Sequence, residues 1–205
     1  MTITELRSLG GERCLIGLSD GGEIRTTAAL VAEMRLFRGK ELSADELCDL
    51  RAAARLAAAK ERAMRIISAR PMSEMELYTR LVEKGETEQD AAECVACLVR
   101  LGFLKDGDYA AMVVRHYAAR GYGRRRVQNE LYRRKIPREM WDEALSQMPE
   151  QDDTVYRLLC SRIKSAEPDR AELRRAADYL QRRGYSWDEI RAAIARYQSD
   201  SGEEQ

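Results

Sequence analysis

The sequence predicts a mostly α-helical protein, with tandem three-helix repeats in three modules forming an elongated curved array, preceded by a small N-terminal β-hairpin plus helix. Three observations predict it. Shifted by about 50 residues, the chain lands on itself: Leu81, Leu131 and Leu180 fall 50 and 49 residues apart, as do Val95, Leu145 and Ile194, and Leu77, Val127 and Ala176. Runs of Ala, Leu, Arg and Glu with only four prolines and 6% aromatics favour helix, because these side chains lose little freedom there. Near the N-terminus, by contrast, apolar and polar residues alternate around Asp20-Gly21-Gly22, a turn signature.

Residues 12 to 27 therefore read as a two-stranded hairpin, which is marginal alone and needs a support. A helix at Thr27 to Arg38, stopped by Gly39, supplies one. Ser43 and Glu46 form a capping box, opening a long helix that runs to about Ala69. Pro71 breaks it, and Ser73 and Glu76 form the next capping box. Helices at Glu74 to Glu83 and Glu88 to Leu101 follow, closed by Gly85 and Gly102. In the second repeat Asp108 to Ala119, Arg124 to Arg134 and Arg138 to Gln147 take the same roles; in the third, Asp153 to Lys164, Asp169 to Arg182 and Trp187 to Gln198. The domain division is 1–56 for the hairpin and leading helices, then 57–105, 106–150 and 151–205 for the three repeats. Met148 to Asp153 reads as a mobile hinge, and Ser199 to Gln205 as a frayed polar tail.

Each repeat is too small to bury its apolar face alone, so neighbours stack and present an extended surface. Extended surfaces suit filaments, peptides or nucleic acid better than small substrates, which need a concave pocket with convergent polar groups. No glycine-rich phosphate loop, paired-carboxylate motif or metal cluster stands out, so no enzyme, no cofactor and no metal are expected. No stretch approaches the ~20 apolar residues that cross a bilayer, and MTITELRSLGGERC lacks the basic and apolar regions of a secretory signal. Five cysteines at irregular positions fit buried thiols in a reducing compartment. A cytoplasmic monomer is expected.

Formal charge is zero, yet it is distributed unevenly. From Val113 to Arg138 there are nine cations against the single acid Glu130, net +8, whereas Ser73 to Glu93 has seven acids against Arg80 and Lys84. A surface with mixed signs does not ask for nine cations in 26 residues, which favours a binding role over a merely solvated face. The candidate partner-binding or nucleic-acid-binding residues are Arg115, Arg120, Tyr122, Arg124, Arg125, Arg126, Arg133, Arg134 and Lys135. Guanidinium forks suit carboxylates on a protein and phosphates on DNA alike.

Other groups read as structural. Glu83, Glu86, Glu88 and Asp90 are read as solvated helix ends. Cys94 and Cys97 sit mid-helix, with Cys94, Leu98 and Leu101 on one apolar stripe, and read as core rather than a zinc or redox pair. His116 has no triad partners. Tyr109 and Tyr117, eight residues apart, read as core; Tyr122, between two glycines, is the tyrosine placed to touch a partner.

The order Ser73-x-x-Glu76-Leu77-x-x-x-Leu81-x-x-Lys84-Gly85, then GFLKDGDYA from Gly102 to Ala110, then Arg120-Gly121-x-Gly123-x-x-Arg126, Leu131 and Ile136, resembles the RecX family of bacterial recombination regulators. The likeness runs from about Ala57 to Tyr197. It implies tandem three-helix modules, no catalysis, and binding to the RecA recombinase filament on single-stranded DNA. It also implies modulation, chiefly inhibition, of recombination, strand exchange, DNA repair and the SOS response. The basic second repeat is the place for contact with RecA acids or with single- or double-stranded DNA. One departure is Lys135, where a glycine is expected, so that helix end should close without a free left-handed residue.

Overall fold

The computed structural model describes residues 1–165 and 167–203, with side chains through residue 200. The chain divides into two compact units, Met1–Leu104 and Lys105–Gln205.

In the first unit β1 (Ile3–Gly10), β2 (Arg13–Leu18) and β3 (Glu23–Thr27) form an antiparallel sheet in that order. The predicted hairpin is β2–β3, turned at Asp20, whose carboxylate accepts from Gly22 N at 2.9 Å. β1 was not predicted. It is an edge strand with two irregularities in its pairing and only Ile3 buried, so it has no buried-exposed alternation to read. Ile3, Ile16, Leu18 and Ile24 pack with Leu36, Leu42, Leu50 and Ala54 into one core.

α1 (Ala28–Glu33) is shorter than expected. Arg35 takes φ +49°, and Leu36 N then bonds Val31 O at 2.9 Å while its side chain is buried. α2 (Ala44–Ala69) opens on the Ser43/Glu46 box and α3 (Glu74–Glu83) on the Ser73/Glu76 box, both reciprocal as predicted. α4 (Glu88–Arg100) follows. With α2 and α3 it encloses Ala63, Leu77, Leu81, Cys94, Val95 and Leu98. Cys94 is fully buried, and burial pushes its thiol up to about 11.

The second unit holds two helix triplets. α5 (Asp106–Ala119), α6 (Arg124–Arg133), a 3-10 turn at Arg138–Met140 and α7 (Trp141–Ser146) enclose Tyr109, Val114, Val127, Leu131 and Leu145. The third helix of this triplet, predicted as one piece, thus begins as a 3-10 turn behind Pro137. Lys135 adopts φ +54° and closes α6 in the left-handed conformation after all. α8 (Asp152–Cys160), α9 (Arg170–Arg182) and α10 (Trp187–Glu203) enclose Val155, Leu159, Ala176, Leu180, Tyr185 and Ile190.

Two further expectations need correction. α10 continues through the predicted polar tail to Glu203, and residues 204 and 205 lie outside the described residues. The predicted hinge is a packed connection: Met148 lies against the preceding core, Gln151 is buried, and α8 starts at Asp152. Among the described residues no helix is long and apolar enough to cross a membrane.

Candidate functional site

The basic segment folds into three different environments. At the start of α6 Arg124 and Arg125 are exposed, and their side chains make no hydrogen bond or ion pair among the described residues. Gly123 caps the helix without a side chain, so the cations there face water and the positive end of the helix. This placement costs stability and leaves two guanidinium groups open to an external anion.

Further along, α6 turns its cations onto Glu130, which is 5% exposed. Arg126 Nη2 and Arg133 Nη1 lie 3.2 and 3.3 Å from Glu130 Oε1, and Arg134 Nε lies 4.0 Å from Oε2. The spacing follows from helix geometry, since residues three and four apart share a face. Arg134 also donates to the Tyr109 hydroxyl at 2.6 Å. These three arginines hold one buried carboxylate and are already engaged. Lys135 is exposed at the turn.

The third environment is built across the second and third triplets. Gly123 N donates to Arg183 O at 3.0 Å and Arg125 N to Gly184 O at 3.1 Å. The buried Tyr185 hydroxyl donates to Gly121 O at 3.0 Å, and Arg183 Nη1 donates to the carbonyls of Arg120 and Gly121, each at 2.8 Å. Tyr122 is half-buried rather than projecting from an open loop. It tilts against Tyr117 at 5.5 Å, with Arg126 at 5.9 Å and Arg183 at 4.9 Å from its ring centre. Arg183 also lies 5.2 Å from the Tyr179 ring, and Arg162 3.9 Å from it on the way down the third triplet.

Beside this seam α5 and α8 leave a pocket of about 470 Å³, with Arg115, Arg120, Arg157 and Arg183 in its wall. Arg115 is exposed and donates one bond to Gln147 Oε1 at 3.1 Å. The sequence reading named Arg115 and Arg120 but missed Arg157 and Arg183. The repeat itself carried a signal for Arg183: Lys84, Arg134 and Arg183 stand at the same offset after Leu81, Leu131 and Leu180. Nothing in the local sequence marks Arg157.

The acids of the first unit are not all solvated as expected. Glu86 receives Arg62, and Asp90, 9% exposed, lies 3.5 Å from Arg55 Nε. Both are internal partners of α2. Among the described residues no group of three or more His, Cys, Asp or Glu side chains could hold a metal.

Comparison with known proteins places all three triplets. Residues 59–98 match the first three-helix domain of RecX, residues 106–145 the second and residues 150–194 the third. Regulatory protein RecX of Vibrio campbellii is 30% identical over 140 residues, covering 66% of this chain and 89% of that protein. Regulatory protein RecX of Trichlorobacter lovleyi is 35% identical over 136 residues, covering 63% and 88%. A crystal structure of regulatory protein RecX superposes with a TM-score of 0.78 at 20% identity, covering 95% of this chain and 98% of that one. RecX from Lactobacillus salivarius superposes at 0.66 and 19% identity, covering 71% and 98%. With three successive helix triplets each matched in order, the chain belongs to the RecX family.

Proposed function

We propose that the chain is a non-enzymatic regulator that binds the RecA recombinase filament on single-stranded DNA and inhibits strand exchange. The observation that carries this reading is the ordered match of three helix triplets to RecX domains. Regulation here is by binding, with no bond made or broken. The regulatory surface belongs to residues 57–105, 106–150 and 151–205, with 1–56 as a leader, in a protein acting as a cytoplasmic monomer. Arg124 and Arg125 are the preferred contacts because they are exposed at the start of α6 and have no side-chain partner among the described residues.

The test is co-sedimentation with RecA assembled on single-stranded DNA with a slowly hydrolysed ATP analogue, beside bare DNA at physiological salt. Retention by the filament and not by bare DNA is expected. Arg124→Ala with Arg125→Ala should weaken that retention about tenfold while leaving helical content unchanged, since charge-assisted contacts of this kind contribute roughly 1 to 2 kcal/mol together at a partly exposed interface. Strand-exchange assays with the same proteins read the direction of the effect. Equal retention by filament and bare DNA would instead make the chain a sequence-independent DNA-binding protein, a reading favoured by the unpartnered cations at α6.

A further inference from the structure

We infer that the pocket walled by Arg115, Arg120, Arg157 and Arg183 is a phosphate-binding site, accepting a phosphodiester or polyphosphate group. Its four cations come from three helices of two triplets: Arg115 and Arg120 from the last turns and cap of α5, Arg157 from α8, and Arg183 from the cap of α9. Among the described residues lining it none is a carboxylate. At the start of α8 Asp153 is held by Arg196 at 2.8 Å.

One wall is fixed in advance. Arg183 spends Nη1 on two carbonyls, stacks on Tyr122 and Tyr179 and hydrogen-bonds the Tyr179 hydroxyl, so its guanidinium plane is set beside the pocket. A cation held this way loses little freedom when an anion arrives. Arg120 and Arg157 are exposed, and their side chains make no hydrogen bond or ion pair among the described residues. Four like charges around one depression repel each other unless an anion fills it.

The number of donors decides the class of anion. A single carboxylate brings one charge and two oxygens, and one or two guanidinium forks satisfy it. Four forks around about 470 Å³ leave most donors unused on a carboxylate, whereas phosphate oxygens, carried singly along a nucleic-acid backbone or in succession on a free nucleotide, can engage them all. The site is independent of the RecA reading, because it needs no recombinase and is tested without one.

The experiment is fluorescence anisotropy of the full chain with a labelled thymidine oligonucleotide across a salt series. Inorganic triphosphate and a polyglutamate peptide serve as competitors. The variant is Arg120→Gln with Arg157→Gln, both exposed and without a side-chain hydrogen bond or ion pair among the described residues; Arg51→Gln on α2 is the charge control. Affinity for the oligonucleotide should fall about tenfold in the double variant, and the slope of log affinity on log salt should shrink by about 1.4 for two lost single-strand phosphate contacts. Arg51→Gln should leave both nearly unchanged. Displacement by triphosphate assigns the site to free phosphates as well as backbone, and oligonucleotide binding without such displacement assigns it to the backbone; both support the site. Thermal stabilisation of the wild type by triphosphate, absent in the double variant, is a second readout. Three results would overturn the inference: wild-type binding retained by the double variant, no binding of either phosphate probe at low salt, or displacement by polyglutamate as effective as by triphosphate.

Discussion

Each of the two units has a depression lined with cations, and they are finished differently. In the first, Arg62, Arg65, Arg70, Arg80 and Lys84 line about 550 Å³, and acids of the same unit take two of them: Glu86 receives Arg62 and Glu76 receives Arg70 at 3.3 Å. In the second, four arginines line about 470 Å³ and none of the described lining residues is a carboxylate. A count of charges along the sequence treats these regions as mirror images, acidic and basic. The fold instead uses acids of residues 73–93 to neutralise cations of the first unit, while the one acid of residues 113–138, Glu130, is spent on α6.

The turns that end the middle helix of each triplet differ in the same way, and breaking them should give the largest effect. Gly85 and Gly184 both have φ +93°. A Cβ on Gly85 meets nothing within 4 Å, whereas one on Gly184 overlaps the backbone nitrogen and Cβ of Arg126, and one on Gly123 comes within 2.5 Å of Gly184 O. Gly85→Ala should therefore cost only the left-handed conformation, about 1 kcal/mol. Gly184→Ala adds a clash that separates the second and third triplets, and should cost about 3 kcal/mol or more. Urea unfolding distinguishes them; equal losses would mean that the seam between these triplets contributes nothing. Lys135, at the same place in the second triplet with φ +54°, shows that a side chain can be carried there, and Lys135→Gly should gain about 1 kcal/mol.

Removing charge from the internal acids should have a smaller effect, and an unequal one. Glu130→Gln leaves Arg126, Arg133 and Arg134 crowded on one helix face without an anion. Glu86→Gln releases only Arg62. Because Arg126 and Arg133 are 40% and 69% exposed, water screens part of the repulsion. We expect a loss of about 1 to 2 kcal/mol for Glu130→Gln and less than about 1 kcal/mol for Glu86→Gln, read as shifts in urea midpoint. The reverse order would show that the Glu130 cluster is not what settles α6.

Most of the helices were legible because their ends are written locally. Ser43 with Glu46 and Ser73 with Glu76 are capping boxes in the sequence and in the structure, and the leucines at Leu81, Leu131 and Leu180 are all buried. β1 was not legible, since a strand exposed along nearly its whole length has no face to betray it. The candidate site was legible only as a charge excess. Which arginines are engaged depends on Glu130 at helical spacing, which the sequence contained, and on Arg183 reaching Arg120 and Gly121 across 62 to 63 residues, which only the fold brings together. The same holds for the supposed hinge, where Met148 lies against the preceding core and Gln151 is buried.

The smallest effect is a difference in alkaline stability between the units. Burial pushes the Cys94 thiol in the first unit up to about 11 and the Tyr185 hydroxyl in the second up to about 12. Each group keeps its proton in the folded state at a pH where the unfolded chain has already released it. Folded stability therefore falls as pH rises above the ordinary value of each group, from about 9 toward 11 for Cys94 and from about 10 toward 12 for Tyr185. The losses are on the order of 1 kcal/mol each within the accessible range, one pKa unit corresponding to about 1.4 kcal/mol. Hydrogen exchange resolved by segment, compared between pH 8 and pH 10, should show the core of α2 to α4 loosening before that of α8 to α10. Cys94→Ala should flatten the dependence in the first unit only. A decline that began in the second unit, or one that Cys94→Ala left unchanged, would place the first alkaline transition on some group other than this buried thiol.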